Sequence, residues 1–171
     1  MAKAVGERLD ALTRAHEFTR PGLIDAGLKI NRDTTLHALV RTIFCPYVDP
    51  ERSKDRDCVI VNGPDVPIDG NAVTSFALIL HEFATNAVKY GALASPAGCV
   101  QIDGVEEKDE FLLTWKEHGG PPVIRQPEAE GFGSLLANRI VKGQFGGQIS
   151  RDWNPEGLVI YLSVPLEHLK K

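Results

Sequence analysis

The sequence has 171 residues, 43% of them hydrophobic, and its 19 lysines and arginines against 23 aspartates and glutamates give a net charge of −4. This length suits one domain whose core needs no disulfide or metal. The negative net charge and the absence of a dense basic block argue against nucleic acid as the main partner. Because no apolar run approaches the ~20 residues of a membrane span and no signal-peptide core is present, we expect a cytoplasmic protein without direct membrane contact.

Two helices are predicted in the first third of the chain. Apolar residues at helical spacing predict a short amphipathic helix over residues 7–18: Leu9, Leu12, Ala15 and Phe18. Pro21-Gly22 then interrupts the chain. Asp33-Thr34-Thr35 offers an N-cap for a second helix, which we expect to run to about Phe44 and to end at Pro46.

A β-hairpin is predicted next. Residues 58–61 and 66–68 have strand character, and Asn62-Gly63-Pro64-Asp65 separates them as a turn. Asp69-Gly70-Asn71 then opens a long helix. Its buried face is predicted from apolar residues at helical spacing: Phe76, Leu80, Phe83, Ala87 and Tyr90.

The same helix carries a polar stripe on a neighbouring face: Glu82, Thr85, Asn86 and Lys89. Asparagine is a poor residue for the middle of a helix, because its side chain competes for backbone hydrogen bonds. Two interpretations explain Asn86. It is an oxygen ligand for Mg²⁺, an ion that takes few protein ligands beside nucleotide phosphates, or it is hydrogen-bonded to a nearby loop.

The second half of the chain reads as strands with one helix inserted. Strands are predicted at residues 99–105, 111–115, 148–153 and 158–164, and a helix at residues 135–142. The pattern predicts an α+β fold in which helices cover one face of a sheet.

Two glycine-rich turns interrupt this half. Trp115-Lys116-Glu117-His118-Gly119-Gly120 ends a strand, and a carboxylate there can accept the exocyclic amine of a purine; the alternative is an ordinary turn with a solvated Glu117. Gly131-Phe132-Gly133-Ser134 precedes a helix, where free backbone N–H groups could bind phosphate.

Several other site classes are excluded by spacing. His81-Glu82 begins like a zinc-binding HExxH motif, but Thr85 stands where the second histidine belongs. The chain has no GxxxxGK[ST] loop and no GxSxG elbow. Cys45, Cys58 and Cys99 form no CxxC pair, so neither a disulfide framework nor a zinc site is expected.

The segment from His81 to Gly91 resembles the N-box of the ATPase and kinase superfamily that includes histidine kinases, gyrase and Hsp90. More narrowly, it resembles the HWE histidine kinases, whose defining features are matched by His81 and by Trp115-Lys116-Glu117. The two glycine turns and Gly157-Leu158 follow in the order of that family. The resemblance implies a two-layer α/β sandwich with a mixed sheet, the Bergerat-type ATP-binding fold, and binding of ATP with Mg²⁺.

The resemblance also implies roles for individual residues. Asn86 would hold Mg²⁺, Lys89 and Gly131 would contact the phosphates, and Glu117 would contact adenine. The remaining nucleotide contacts would be Tyr90, Gly119, Gly133 and Ser134. Glu82 occupies the position of the catalytic glutamate of gyrase and Hsp90, and it could orient the attacking imidazole, hold a metal-bound water or serve as a base. His81 is either catalytic or structural.

The domain organisation follows from the same resemblance. Residues 1–30 would be a remnant of the dimerisation and phosphoacceptor hairpin with its linker, and residues 31–171 the catalytic domain, with residues 121–130 as a short ATP lid. None of the five histidines has the context of a phosphoacceptor, so we expect a kinase fragment or stand-alone module that acts on a separate hairpin, with a response regulator downstream. The alternative is a regulator of the same fold, such as an anti-sigma factor that phosphorylates serine.

Overall fold

The computed structural model of the chain describes residues 33–47, 58–124 and 131–170. The regular elements in these ranges are β1 (Asp33–Thr35), α1 (Leu36–Phe44), β2 (Val59–Asn62), β3 (Pro67–Asp69), α2 (Gly70–Lys89), β4 (Cys99–Glu107), β5 (Glu110–His118), α3 (Phe132–Arg139), β6 (Gln148–Asn154), β7 (Gly157–Pro165) and α4 (Leu166–Leu169). The predicted helix over residues 7–18 and the domain boundary after residue 30 lie outside these ranges.

Five strands form one mixed sheet in the order β2-β4-β5-β7-β6. β2 runs parallel to β4, and the other neighbouring pairs are antiparallel. β1 and β3 form a separate two-stranded antiparallel sheet. The helices cover one face of the large sheet, so the predicted α+β sandwich is confirmed.

The core lies between α2 and that face of the sheet. Along β5, alternate residues are buried, as the period of two in a strand requires: Phe111, Leu113, Trp115 and Glu117. Phe76, Leu80 and Phe83 of α2 are at most 2% exposed. Burial of each such apolar side chain contributes about 1.5–3 kcal/mol of transfer free energy, which fixes α2 against the sheet.

α1 begins and ends where the sequence indicates. Thr35 is its N-cap, and the side-chain oxygen accepts a hydrogen bond from Ala38 N at 3.4 Å. The α-helix ends at Phe44, and a 3₁₀ turn that contains Pro46 follows at Cys45–Tyr47.

The predicted hairpin of residues 58–61 with 66–68 is wrong. β2 pairs with β4, and β3 pairs with β1. The segment after β2 is held by α1 instead, because Asp65 Oδ1 accepts from His37 N at 2.9 Å and Val66 O accepts from Leu36 N at 2.9 Å. These long-range bonds override the local turn signal of the intervening residues.

Two helix boundaries also differ from the sequence prediction. The helix expected at residues 135–142 begins earlier, as α3, and continues into a π-helical turn at Ile140–Gln144. Tyr90, expected on the buried face of α2, is 76% exposed. The helix ends at Lys89 and Tyr90 has φ −133°, so helical spacing no longer directs its side chain inward. Of the helices that the structure describes, none is both long and apolar enough to span a bilayer.

Candidate functional site

A cavity of about 570 Å³ lies between α2, the end of β5, β6, the start of β7 and α3. This volume is in the range of small-molecule sites. Of the residues predicted from sequence to bind or act on a nucleotide, six line it: Glu82, Asn86, Tyr90, Glu117, Gly131 and Ser134. Four do not, namely His81, Lys89, Gly119 and Gly133.

α2 contributes a paired carboxylate and amide to the cavity wall. Glu82 and Asn86 are four residues apart, so they lie one above the other on the helix. Asn86 Nδ2 donates to Glu82 Oε1 at 3.0 Å. The partner of the Asn86 amide nitrogen is therefore a helix neighbour rather than a loop, and with this assignment the amide oxygen is the atom left to bind a cation.

Two other residues of the N-box segment lie away from the cavity lining. Lys89 is in the last turn of α2 and is exposed. His81 is half-buried on the side of α2 that meets the turn after α1, where its Nε2 lies 3.2 Å from the Tyr47 hydroxyl. This contact ties α2 to the end of α1.

Glu117 is a buried carboxylate at the end of β5 and is only 4% exposed. Its Oε2 accepts from Ala92 N at 2.8 Å, and its Oε1 accepts from Trp115 Nε1 at 3.1 Å. Burial raises the pKa of the Glu117 carboxyl above its ordinary value, and these two hydrogen bonds offset only part of that effect. Each oxygen retains a lone pair that could accept a donor from a ligand in the cavity.

The Trp-x-Glu spacing has a structural basis. Residues two apart on a strand point to the same face, so Trp115 and Glu117 are side by side in the core. Trp115 is fully buried, stacks on Phe44 at a centroid distance of 5.7 Å and meets Phe83 edge-on at 5.5 Å. Its indole N–H is thereby fixed toward Glu117. Trp115 therefore belongs to the hydrophobic core.

The two glycine-rich turns contribute to the cavity in different ways. Gly120 lines the cavity, whereas Gly119 shapes the turn: its φ is +69°, and a Cβ there would lie 2.7 Å from Ala97 O. Gly131 and Ser134 line the cavity at the start of α3. Gly133 is in the same turn, and its Cα is covered by the Glu82 carboxylate.

Several cavity residues were not predicted from the sequence: Asn138, Lys142, Ile149, Arg151 and Trp153. Arg151 Nη1 donates to Asn138 Oδ1 at 2.9 Å, which links β6 to α3. Three of these residues could have been predicted to lie together. Residues 149, 151 and 153 are two apart on a predicted strand and therefore share one face.

Metal ligation here would depend on few protein atoms. In the ranges that the structure describes, there is no group of three or more His, Cys, Asp or Glu side chains that could hold a metal ion. A single amide oxygen beside bound phosphates suits Mg²⁺, which keeps most of its waters. The residues present therefore fit an ion that arrives with a nucleotide.

We expect the stability of the protein to depend on pH through Glu117. The ordinary pKa of a glutamate is 4.5, and that of folded Glu117 is higher, so its stabilising contribution is complete below about 4.5 and is lost as the pH rises through the folded-state pKa. Glu117→Gln cannot titrate. The free energy of unfolding of the parent, relative to this variant, should therefore fall as the pH rises above 4.5.

Urea unfolding of both proteins between about pH 4 and pH 8 measures this difference. Glu156→Gln, at an exposed turn between β6 and β7, is the control for the loss of one carboxyl group outside the cavity. A constant difference between the parent and Glu117→Gln across this range would contradict the raised pKa.

Comparisons with known proteins agree with this fold. The catalytic domain of histidine kinase ThkA superposes with a TM-score of 0.60 at 18% identity, over 78% of this chain and 94% of that domain. ThkA in complex with the response regulator TrrA gives a TM-score of 0.60 at 17% identity, over 95% of this chain and 50% of that one. The described part of the chain has the fold of a histidine kinase catalytic domain.

Sequence relatives include histidine kinases that are activated by blue light. A blue-light-activated histidine kinase of Erythrobacter litoralis is 33% identical over 167 residues, which are 96% of this chain and 44% of that protein. One of Rhizobium johnstonii is 31% identical over 166 residues, again 96% of this chain and 44% of that protein. No protein-family model matches. The chain is a homologue of these histidine kinases, consistent with the HWE resemblance, and spans less than half the length of either.

Proposed function

We propose that the chain contains the ATP-binding catalytic domain of a bacterial sensor histidine kinase, which transfers the γ-phosphoryl group of ATP to a histidine on a phosphoacceptor hairpin. One observation carries the proposal. The polar pair of α2, the buried Glu117 of β5 and the glycine turn before α3 converge on a single cavity, although they are far apart in sequence. A cytoplasmic location, where ATP is available, is part of the proposal.

Adenine would bind at the Glu117 end of the cavity. Apolar side chains form the walls there, including Leu158 and Ile160 of β7, and a planar base buries well against such surfaces. The exocyclic amine would donate to a Glu117 oxygen. Because Ala92 N and Trp115 Nε1 already fix the carboxylate, it can accept that hydrogen bond with little loss of side-chain entropy.

The phosphates would lie toward Asn86 and the first turn of α3. The backbone N–H groups of a helix N-terminus carry partial positive charge and bind anions. Asn86 would offer its amide oxygen to Mg²⁺, which when bound neutralises charge on the phosphates. Lys89 is exposed and would reach the phosphates only from the rim of the site.

Glu82 would act in the transfer step. In that step an imidazole nitrogen forms a bond to the γ-phosphorus while the bond to the β,γ-bridging oxygen breaks and ADP leaves. The imidazole must also give up a proton. A carboxylate beside the reacting group can orient the imidazole or accept this proton, and Glu82 lies in the cavity next to Asn86.

Partner proteins are part of the proposal. The structure of ThkA with TrrA contains a histidine kinase bound to a response regulator. By analogy, we propose that the phosphoryl group passes from the hairpin to a response regulator. The alternative of an anti-sigma factor that phosphorylates serine has no support among the relatives and structures described above.

Phosphoryl transfer to a separate hairpin tests this function. The chain is incubated with [γ-³²P]ATP, Mg²⁺ and a purified phosphoacceptor hairpin of an HWE kinase. We expect label on the hairpin that is lost in acid and retained in alkali, because phosphohistidine is acid-labile. Replacement of Mg²⁺ by EDTA is the control and should abolish labelling. Acid-stable label, or none on the hairpin, would contradict the proposal.

A further inference from the structure

The carboxylate of Glu82 lies directly on the first turn of α3. A Cβ atom built on Gly133 would overlap Cδ and both carboxylate oxygens of Glu82. At Gly143, in the π-helical turn that continues α3, a Cβ would meet nothing within 4 Å. The close approach at Gly133 is therefore a local contact between α2 and α3 and not a general property of the segment.

Electrostatics favours this arrangement. The first N–H groups of a helix have no intrahelical partner, and the N-cap of α3, Gly131, contributes no side-chain hydrogen bond. A negative charge near that end is stabilised by the helix dipole. Asn86 Nδ2 binds Glu82 Oε1 from within α2. The carboxylate therefore lies between its own helix and the start of α3.

We propose that Gly133 is a positioning residue for phosphoryl transfer: its missing side chain provides the space in which the Glu82 carboxylate is held. The inference rests on the proposed function, in which Glu82 acts in the transfer step. This positioning role can be distinguished from a role in phosphate binding. Alanine keeps the backbone N–H with which Gly133 could bind phosphate, so Gly133→Ala would leave that contact available. Substitution by alanine should therefore act through Glu82.

The contact can be tested without nucleotide. The side-chain carboxyl ¹³C resonance of Glu82, assigned by its absence in Glu82→Gln, should shift in Gly133→Ala. It should stay in place in Gly143→Ala, the matched control. Since the overlapping atoms are at the end of a flexible side chain, we expect Gly133→Ala to fold. An unchanged Glu82 resonance in Gly133→Ala would overturn the contact.

The positioning role is tested by single-turnover transfer to the hairpin. We expect Gly133→Ala to lower the transfer rate at least ~10-fold, while MgATP affinity stays within about threefold and Gly143→Ala matches the parent. Glu82→Asp shortens the side chain by one methylene. It should slow transfer in the parent, because the carboxylate retreats, yet raise the rate of Gly133→Ala, because the overlap is relieved.

The proposal requires that Glu82→Asp lower the transfer rate of the parent and raise that of Gly133→Ala. The same fold-loss in both backgrounds, or a Gly133→Ala rate within about twofold of the parent, would overturn it. These outcomes differ from failure of the proposed function, in which the parent itself transfers nothing to the hairpin. In that event, the nucleotide-free resonance still reports whether Gly133 holds Glu82.

Discussion

Asn86→Ala should lower the affinity for MgATP at least tenfold, about 1.4 kcal/mol, and the transfer rate at subsaturating ATP should fall with it. The substitution removes the amide oxygen that would bind Mg²⁺ and the donor to Glu82 Oε1. Both losses act at the phosphate end of the cavity. Isothermal calorimetry with ATP and Mg²⁺ measures the affinity directly.

The control for this experiment is a second asparagine. Asn62 ends β2, is exposed, and donates to Asp103 Oδ1 at 2.9 Å outside the cavity. Asn62→Ala should leave MgATP affinity unchanged. If Asn86→Ala also bound MgATP as tightly as the parent, Asn86 would not be a ligand of the nucleotide complex.

Glu82→Gln should separate binding from chemistry. Glutamine retains an oxygen that accepts from Asn86 Nδ2, so the geometry of α2 is kept while the negative charge is removed. We expect MgATP affinity to stay within about threefold, and transfer to the hairpin to fall by roughly 10²-fold, as loss of a general base usually costs. Single-turnover kinetics at saturating ATP isolates the transfer step.

A surface glutamate provides the matched variant. Glu106 is exposed near the end of β4, and Glu106→Gln removes the same charge without touching the cavity. It should transfer at the parental rate. A rate for Glu82→Gln within about a factor of three of the parent would remove Glu82 from the transfer step and reduce it to a charge on the helix.

The parts of the fold that follow from local pattern were predictable. The buried face of α2 was confirmed at Phe76, Leu80 and Phe83 because helical spacing persists over many turns. The four strands predicted at residues 99–105, 111–115, 148–153 and 158–164 lie within β4, β5, β6 and β7. The hairpin of residues 58–61 with 66–68 was predicted wrongly, because β2 and β3 take partners far away in sequence.

The site, like the fold, was predictable only where it follows from local sequence pattern. The sequence predicted Glu82, Asn86 and Glu117 from motif spacing, and the structure brings all three to one cavity. Their immediate partners were not predictable. Ala92 N, which binds Glu117, and Gly133, which receives Glu82, come from other segments that only the tertiary fold brings near. Tyr90 was wrongly predicted to be buried, because the spacing of apolar residues does not show where a helix ends.

We propose that one cavity binds MgATP and supports phosphoryl transfer to histidine. MgATP affinity and single-turnover transfer to the hairpin, measured in the parent, Asn86→Ala and Glu82→Gln, separate these two roles. We predict that the parent shows both, that Asn86→Ala loses affinity, and that Glu82→Gln keeps affinity and loses transfer. A parent chain that binds no MgATP, or variants that both match the parent, would contradict the claim.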